Sequence, residues 1–265
     1  MAGRVVQIRI AALMLCLLVP VRFPAQAAPP APATGGGVVS VAVAADFLHT
    51  LEHLGTAFAR TGAGRLAITP GSTGKLYAQI RAGAPFDILL SADTATPLRL
   101  VRDNLAVAAS RFTYARGRLV LWSRSARRVD GSGRVLASGR FRHLAIADPH
   151  TAPYGAAARN VLRRLGLWQR LQPRIVSGED VGQTFEFAAS GNAALAFIAL
   201  AQIKDPGHAA GGSYWIVPQR LYPPINQQAV LLTRAAHNRA AAAFMRFLHG
   251  AAARTIIRQD GYGTD

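Results

Sequence analysis

Two stretches of the chain hold side chains of the kinds that do chemistry, at spacings that carry meaning. His49-Thr50-Leu51-Glu52-His53 has the H-x-x-E-H spacing of inverted zinc peptidases, in which two imidazoles and a carboxylate share one helical face. Pro70 to Tyr77, PGSTGKLY, brackets a Ser-Thr pair with glycines and runs into a helix start. The first stretch would suit a cation; the second would suit an anion.

The histidine motif has a plainer account in its own helix. Leu51, Leu54 and Phe58 mark the apolar stripe, which leaves His49, Glu52, His53, Thr56 and Arg60 on the solvent side, where polar residues belong. A peptidase also needs a third ligand downstream, and only Glu179 and Glu186 remain as glutamates there.

The glycine turn offers more. A turn feeding a helix start leaves backbone N–H groups without partners, and the helix dipole adds partial positive charge. The Walker pattern G-x-x-x-x-G-K-[ST] fails here, because Thr69 stands where its first glycine belongs and Leu76 replaces the magnesium-binding hydroxyl. Ser72 and Thr73 supply short hydroxyl donors instead, suited to a small oxyanion. The alternative is an ordinary Ser/Thr helix cap. Three further strand-to-helix turns have the same form: Ala44-Ala45-Asp46-Phe47, Ala152-Pro153-Tyr154-Gly155 and Glu179-Asp180-Val181-Gly182. In an open parallel sheet such turns line the ligand crevice, so the four are expected to converge on one anion.

The elements that must position these turns alternate. Val38 to Ala44 reads as a buried strand, about Phe47 to Thr61 as a helix, Leu66 to Thr69 as a strand, Leu76 to Arg81 as a helix and Phe86 to Leu90 as a strand. After an extended stretch, Phe112 to Trp122, the pattern restarts. Leu144 to Ala147 and Ala193 to Ala199 read as strands, and Gly155 to Leu165 and Val181 to Ala189 as helices. Gln228 to Leu232 is extended again, and about Asn238 to Leu248 closes the series as a helix. The expected fold is α/β: two lobes, each a mixed, mostly parallel sheet flanked by helices, with a ligand cleft between them. The segments are 1–27, 28–37, then 38–115 for lobe 1, 116–226 for lobe 2, and 227–265 returning to lobe 1.

Residues 1–27 have the grammar of an export signal. Arg4 and Arg9 precede an apolar run, Ile10 to Val19, that is too short to span a bilayer, and Ala25-Gln26-Ala27 supplies a cleavage pattern. Residues 28–37 form a Pro/Gly-rich linker. The only cysteine, Cys16, lies inside the signal, so the exported chain has no disulfide, cysteine-bound zinc or thiol nucleophile. The formal charge of the full chain is +17. Its arginines are scattered singly or in pairs, without an aromatic-interleaved basic stripe, so the charge implies mild attraction for anions rather than nucleic-acid binding. Neither Ser123 nor His143 finds an acid partner for nucleophilic catalysis, so a serine-hydrolase reading has no support.

In the stretches Val41 to Glu52 (VAVAADFLHTLE), Gly71 to Asp93 (GSTGKLYAQIRAGAPFDILLSAD), Ser110 to Ser123, Thr151 to Ala157 (TAPYGAA), Glu179 to Gln183 (EDVGQ) and Ser190 to Ile203, the chain resembles the periplasmic molybdate-binding proteins of ABC importers. The resemblance implies a type II periplasmic binding fold that closes around molybdate or tungstate. It also implies a monomer in the periplasm that serves a membrane permease and its ATPase, without cofactor or metal cation. The family's contacts would fall on Ala45, Asp46, Ser72, the Tyr154 hydroxyl and the Val181 N–H, with Thr73 beside Ser72. Another tetrahedral oxyanion such as phosphate is the alternative ligand, and a zinc peptidase using His49, Glu52 and His53 the alternative class.

Asp46 departs from the family pattern, in which this place carries Asn or a serine. A carboxylate beside a dianion repels it unless it is turned away, protonated or paired. Three readings stand open: Asp46 caps its own helix, or it is neutralised by Lys75, or it accepts the proton of a monoprotonated oxyanion.

Overall fold

The computed structural model describes residues 36–204 and 211–264. The export signal and most of the linker expected at the N-terminus lie outside these residues.

The first half runs β1 (Val38–Ala44), a 3-10 turn (Ala45–Phe47), α1 (Leu48–Ala59), β2 (Arg65–Gly71), α2 (Thr73–Arg81), β3 (Ile88–Ser91), α3 (Ala95–Arg102) and β4 (Phe112–Gly117). The second runs β5 (Leu119–Ser123), α4 (Val135–Ser138), β6 (Leu144–Ala147), α5 (Pro153–Arg164), α6 (Trp168–Leu171), β7 (Ile175–Gly178), α7 (Val181–Ala189), β8 (Leu195–Ala199), α8 (Leu200–Lys204) and β9 (Ser213–Ile216). The chain then returns through β10 (Ile225–Leu231), α9 (Arg239–His249) and α10 (Ala251–Gln259).

Two five-stranded sheets result, ordered β2-β1-β3-β10-β4 and β7-β6-β8-β5-β9. Each has three parallel strands, then one antiparallel to its neighbours. The extended stretch Phe112 to Trp122 is therefore two strands in two sheets, with Arg118 at the crossing. The α3, β7, β9 and α10 segments were not anticipated from the sequence. The strands β7 and β9 are four residues each, and the amphipathic helices α3 and α10 run only eight and nine residues.

Burial on both faces of its sheet explains why β1 is apolar at every position but Ser40. Val39, Val41 and Val43 pack with Phe47, Leu51, Leu54 and Phe58 on one side of the sheet, while Ala42 joins Leu76, Leu89 and Leu100 on the other. Helices cover both faces, so both sets of side chains leave water. As expected for α1, Leu51, Leu54 and Phe58 are buried, whereas Glu52, His53, Thr56 and Arg60 are exposed.

The carboxyl ends of the strands carry the four turns to the cleft, where the lobes meet. The Gly74 N–H of lobe 1 donates to the Thr151 carbonyl of lobe 2 at 2.8 Å. Lys75 pairs with Glu179 across the same line. Ala44 at the end of β1 and Ala92 just past the end of β3 sit in the apolar cluster of the second sheet.

Candidate oxyanion site

Where the four turns converge they enclose one small cavity lined by Ala44, Ala45, Asp46, Gly71, Ser72, Thr73, Ala92, Ala152, Pro153, Tyr154, Asp180 and Val181. All six residues singled out in the sequence border it. Wider grooves also run between the lobes, one lined in part by Tyr77, Arg99 and His150 and another by His49, Pro70 and Glu186. The four strand-to-helix turns come together at the small cavity.

Ser72 is the residue that gives the cavity its character. It stands at the N-cap of α2, yet its side chain makes no capping bond, although a serine there ordinarily accepts from an N–H of the first turn. Its Oγ is buried with no hydrogen-bond partner. An unmet buried hydroxyl costs about 1–3 kcal/mol, so the fold carries this group at a loss. The neighbouring hydroxyl is different: Thr73 Oγ1 accepts from the Ala92 N–H at 3.2 Å and fastens the turn to the end of β3.

Across the cavity, Val181 is the first residue of α7, so its N–H has no acceptor within the helix. Asp180 caps that helix by accepting from the Gln183 N–H at 3.0 Å, which leaves the Val181 N–H outside the cap. Tyr154 enters from the first turn of α5, directly after Pro153. Two glycines permit this placement, Gly155 by letting the start of α5 approach the end of β6 and Gly117 by leaving space for the Tyr154 hydroxyl. A Cβ on Gly155 would lie 2.1 Å from the Ala147 carbonyl oxygen, and one on Gly117 would lie 2.1 Å from the Tyr154 hydroxyl.

Residues 39–263 match the family model described as bacterial extracellular solute-binding protein. Over 225 residues the chain is 45% identical to the molybdate-binding protein ModA of Azotobacter vinelandii, covering 85% of this chain and 89% of that one. It is also 45% identical over 234 residues to ModA of Rhodobacter capsulatus, covering 88% and 91%. The solved structure of the Azotobacter vinelandii periplasmic molybdate-binding protein superposes with a TM-score of 0.83 at 44% identity, over 86% of this chain and 99% of that one. The chain belongs to the ModA family of bacterial extracellular solute-binding proteins. The sulfate-binding protein SubI of Mycobacterium tuberculosis, at 13% identity and a TM-score of 0.68, shares the fold alone.

Within this ModA-family chain, Asp46 fits neither of the first two readings made from sequence. It lies inside the 3-10 turn, which has no side-chain cap, so it does not cap its helix. Lys75 does not neutralise it, being engaged by Glu179. Instead Asp46 is buried at 4% exposure in a cluster of neutral donors. Its Oδ2 receives the Gln227 side-chain N–H and stands 3.2 Å from the Tyr262 hydroxyl, which is also 2.6 Å from the Asp46 carbonyl oxygen. Gln227 is oriented in turn by Tyr114, whose hydroxyl donates to Gln227 Oε1 at 2.9 Å. The sequence suggested a free Tyr154 hydroxyl, but it stands 3.5 Å from Gln227 Nε2, which donates to it, and near enough to Asp46 to help hold that carboxyl's titration point down.

Burial pushes the Asp46 carboxyl up to about 7, against the opposing pull of bonds from Gln227, Tyr262 and Tyr154. Burial and then the nearby Asp46 charge hold the Tyr114, Tyr154 and Tyr262 hydroxyls well above the usual tyrosine range. All three remain donors at neutral pH.

Gln227, Tyr262 and Tyr114 escaped the sequence reading. They come from β10, the chain end and β4, none of which is a strand-to-helix turn. Tyr262 is brought in by a bridge between Arg116 and Gly263, with bonds of 2.7 and 2.9 Å. The histidine motif resolves into ordinary pairs, His49 Nδ1 with Glu52 Oε2 at 3.2 Å and His53 Nδ1 with Asp260 Oδ2 at 3.0 Å. Among the described residues, no group of three or more His, Cys, Asp or Glu side chains is placed to hold a metal ion.

Proposed function

We propose that this protein captures molybdate, and tungstate with it, in the periplasm and hands the anion to the permease of an ABC importer, whose ATPase drives transport. It acts as a carrier and not as a catalyst. The observation that carries this reading is the buried Ser72 hydroxyl, which neither caps its helix nor meets any other group.

A fully deprotonated tetrahedral dianion can only accept hydrogen bonds, so a cage of N–H and O–H donors satisfies it without a formal cation. The residues bordering the cavity include no lysine or arginine. Ser72 and Val181 border the cavity from different lobes, so an anion held by both draws the lobes together and favours the closed form. Each charge-assisted bond contributes about 1.5–3 kcal/mol net. About six would supply the roughly 12 kcal/mol of nanomolar binding after the costs of closure. The names and shared fold of the ModA relatives support molybdate as the anion.

Calorimetric titration of the purified protein with molybdate, tungstate, sulfate and phosphate tests the assignment. Tight binding of the first two and weak binding of the others is expected. Binding of phosphate alone would overturn it.

A further inference from the structure

We propose that Asp46 couples anion capture to proton uptake: its carboxyl is protonated whenever the dianion occupies the cavity, and loss of that proton weakens the hold on the anion. This inference rests on the oxyanion reading above and concerns the regulation of the same site.

The geometry supplies too few hydrogens for both an ionised Asp46 and a bound dianion. The Tyr262 hydroxyl has one hydrogen and two acceptors, the Asp46 carbonyl oxygen at 2.6 Å and Oδ2 at 3.2 Å. Tyr154 and Asp46 border the same small cavity, so the single hydrogen of the Tyr154 hydroxyl can go either to an ionised carboxylate or to an anion there. If Asp46 is ionised, it holds the Tyr154 hydrogen and denies it to the anion. If Asp46 is protonated it makes no such demand, and the hydroxyl turns to the ligand. The Gln227 and Tyr262 contacts are both to Oδ2, which leaves Oδ1 to carry the proton.

Among the described residues, no lysine or arginine is placed to resolve the conflict. The groups that face Asp46 are Tyr114 from β4, Tyr154 from α5, Tyr262 from the chain end, His49 and His53 from α1, Asp260 after α10, and Asp180 before α7. Neither cavity that Asp46 borders is lined by lysine or arginine. The carboxyl already titrates near neutrality, at about 7. A dianion beside it raises that point further, because like charges disfavour ionisation. By linkage the effect is reciprocal: whatever the anion does for the proton, the proton does for the anion.

The sign follows. Below the carboxyl's titration point the site is already protonated and affinity does not change with pH. Above it, each bound anion must bring in a proton, and affinity falls about tenfold per pH unit.

The test is molybdate titration from about pH 6 to about pH 9, where molybdate itself stays a dianion, on the wild type and on Asp46→Asn. The wild type should lose affinity about tenfold per unit at the alkaline end; the variant should show a flat profile. Titration of the wild type at about pH 8 in buffers of different ionisation enthalpy should also report close to one proton taken up per anion. A flat wild-type profile with no proton uptake overturns the inference, and this second measurement stands even if the variant fails to fold. A slope that persists in Asp46→Asn assigns the proton to another group, the α1 histidines included, and also overturns it. Absence of molybdate binding at any pH would instead sink the oxyanion reading, and this inference with it.

Discussion

The Ser72 side of the cavity and the Asp46 side are equally buried, but their hydrogen-bond accounts are opposite. Ser72 offers a hydroxyl with no partner and sits where a cap bond was available to it. Asp46 is a charge-bearing group hemmed in by Gln227, Tyr262 and Tyr154. An unmet donor is a local cost that an incoming acceptor removes. A hydrogen-bonded acid next to that donor is a cost that an incoming anion increases. One side therefore draws the ligand, and the other sets the conditions under which it stays.

The largest effect should come from the acid. Folding raises the Asp46 carboxyl from the ordinary 3.8 to about 7, so between those values the folded chain holds a proton that the unfolded chain has released. Stability then falls as pH rises through that window and stays low above it, by an amount of order 4 kcal/mol. Asp46→Asn removes this dependence. In urea unfolding without added anion, the variant should match the wild type near about pH 4 and exceed it by several kcal/mol near about pH 8. Parallel pH profiles for the two proteins would show that the carboxyl is not held at a loss, and the contrast between the two sides would collapse.

Next in size is Ser72→Ala. If the hydroxyl serves only the ligand, its removal should weaken molybdate binding by about 1.5–3 kcal/mol, a factor of roughly ten to one hundred and fifty. The unfolding midpoint should stay level or rise, because no bond within the protein is lost. Full affinity together with a lower midpoint would make Ser72 a structural residue and break the comparison from the other end.

The parts of this arrangement that the sequence revealed share a physical reason. Strand-to-helix turns have local signatures, so Gly71 to Thr73, Ala45-Asp46, Tyr154 and Val181 were legible from short stretches, as was the buried stripe of α1. A family resemblance tied those turns to one anion. What stayed hidden depends on contacts between residues far apart in the chain. Gln227 meets Asp46 across a separation of 181 residues and Tyr262 across 216, and no periodicity encodes such a meeting. Capping was misjudged for a related reason. Ser72 stands at a helix N-cap without capping, and Asp46 falls one residue short of the α1 N-cap, inside a 3-10 turn that the sequence did not signal.

Tyr154 belongs to both sides at once, so Tyr154→Phe gives the smallest and most discriminating of these effects. Loss of its hydroxyl removes one donor to the anion, which should cost about 1 kcal/mol, or roughly fivefold in affinity, because the Asp46 carboxyl competes for that donor in the wild type. The same hydroxyl is one of the bonds that hold the Asp46 titration point down. Without it the carboxyl should titrate higher, and the alkaline loss of molybdate affinity should begin at a higher pH than in the wild type. A shift to higher pH with weaker binding is the expected pair of results. Weaker binding with an unmoved pH profile would mean that Tyr154 serves the ligand alone, and a moved profile with full affinity would mean that it serves only Asp46. Only the combined result requires the hydrogen of this one hydroxyl to be shared between the acid and the anion.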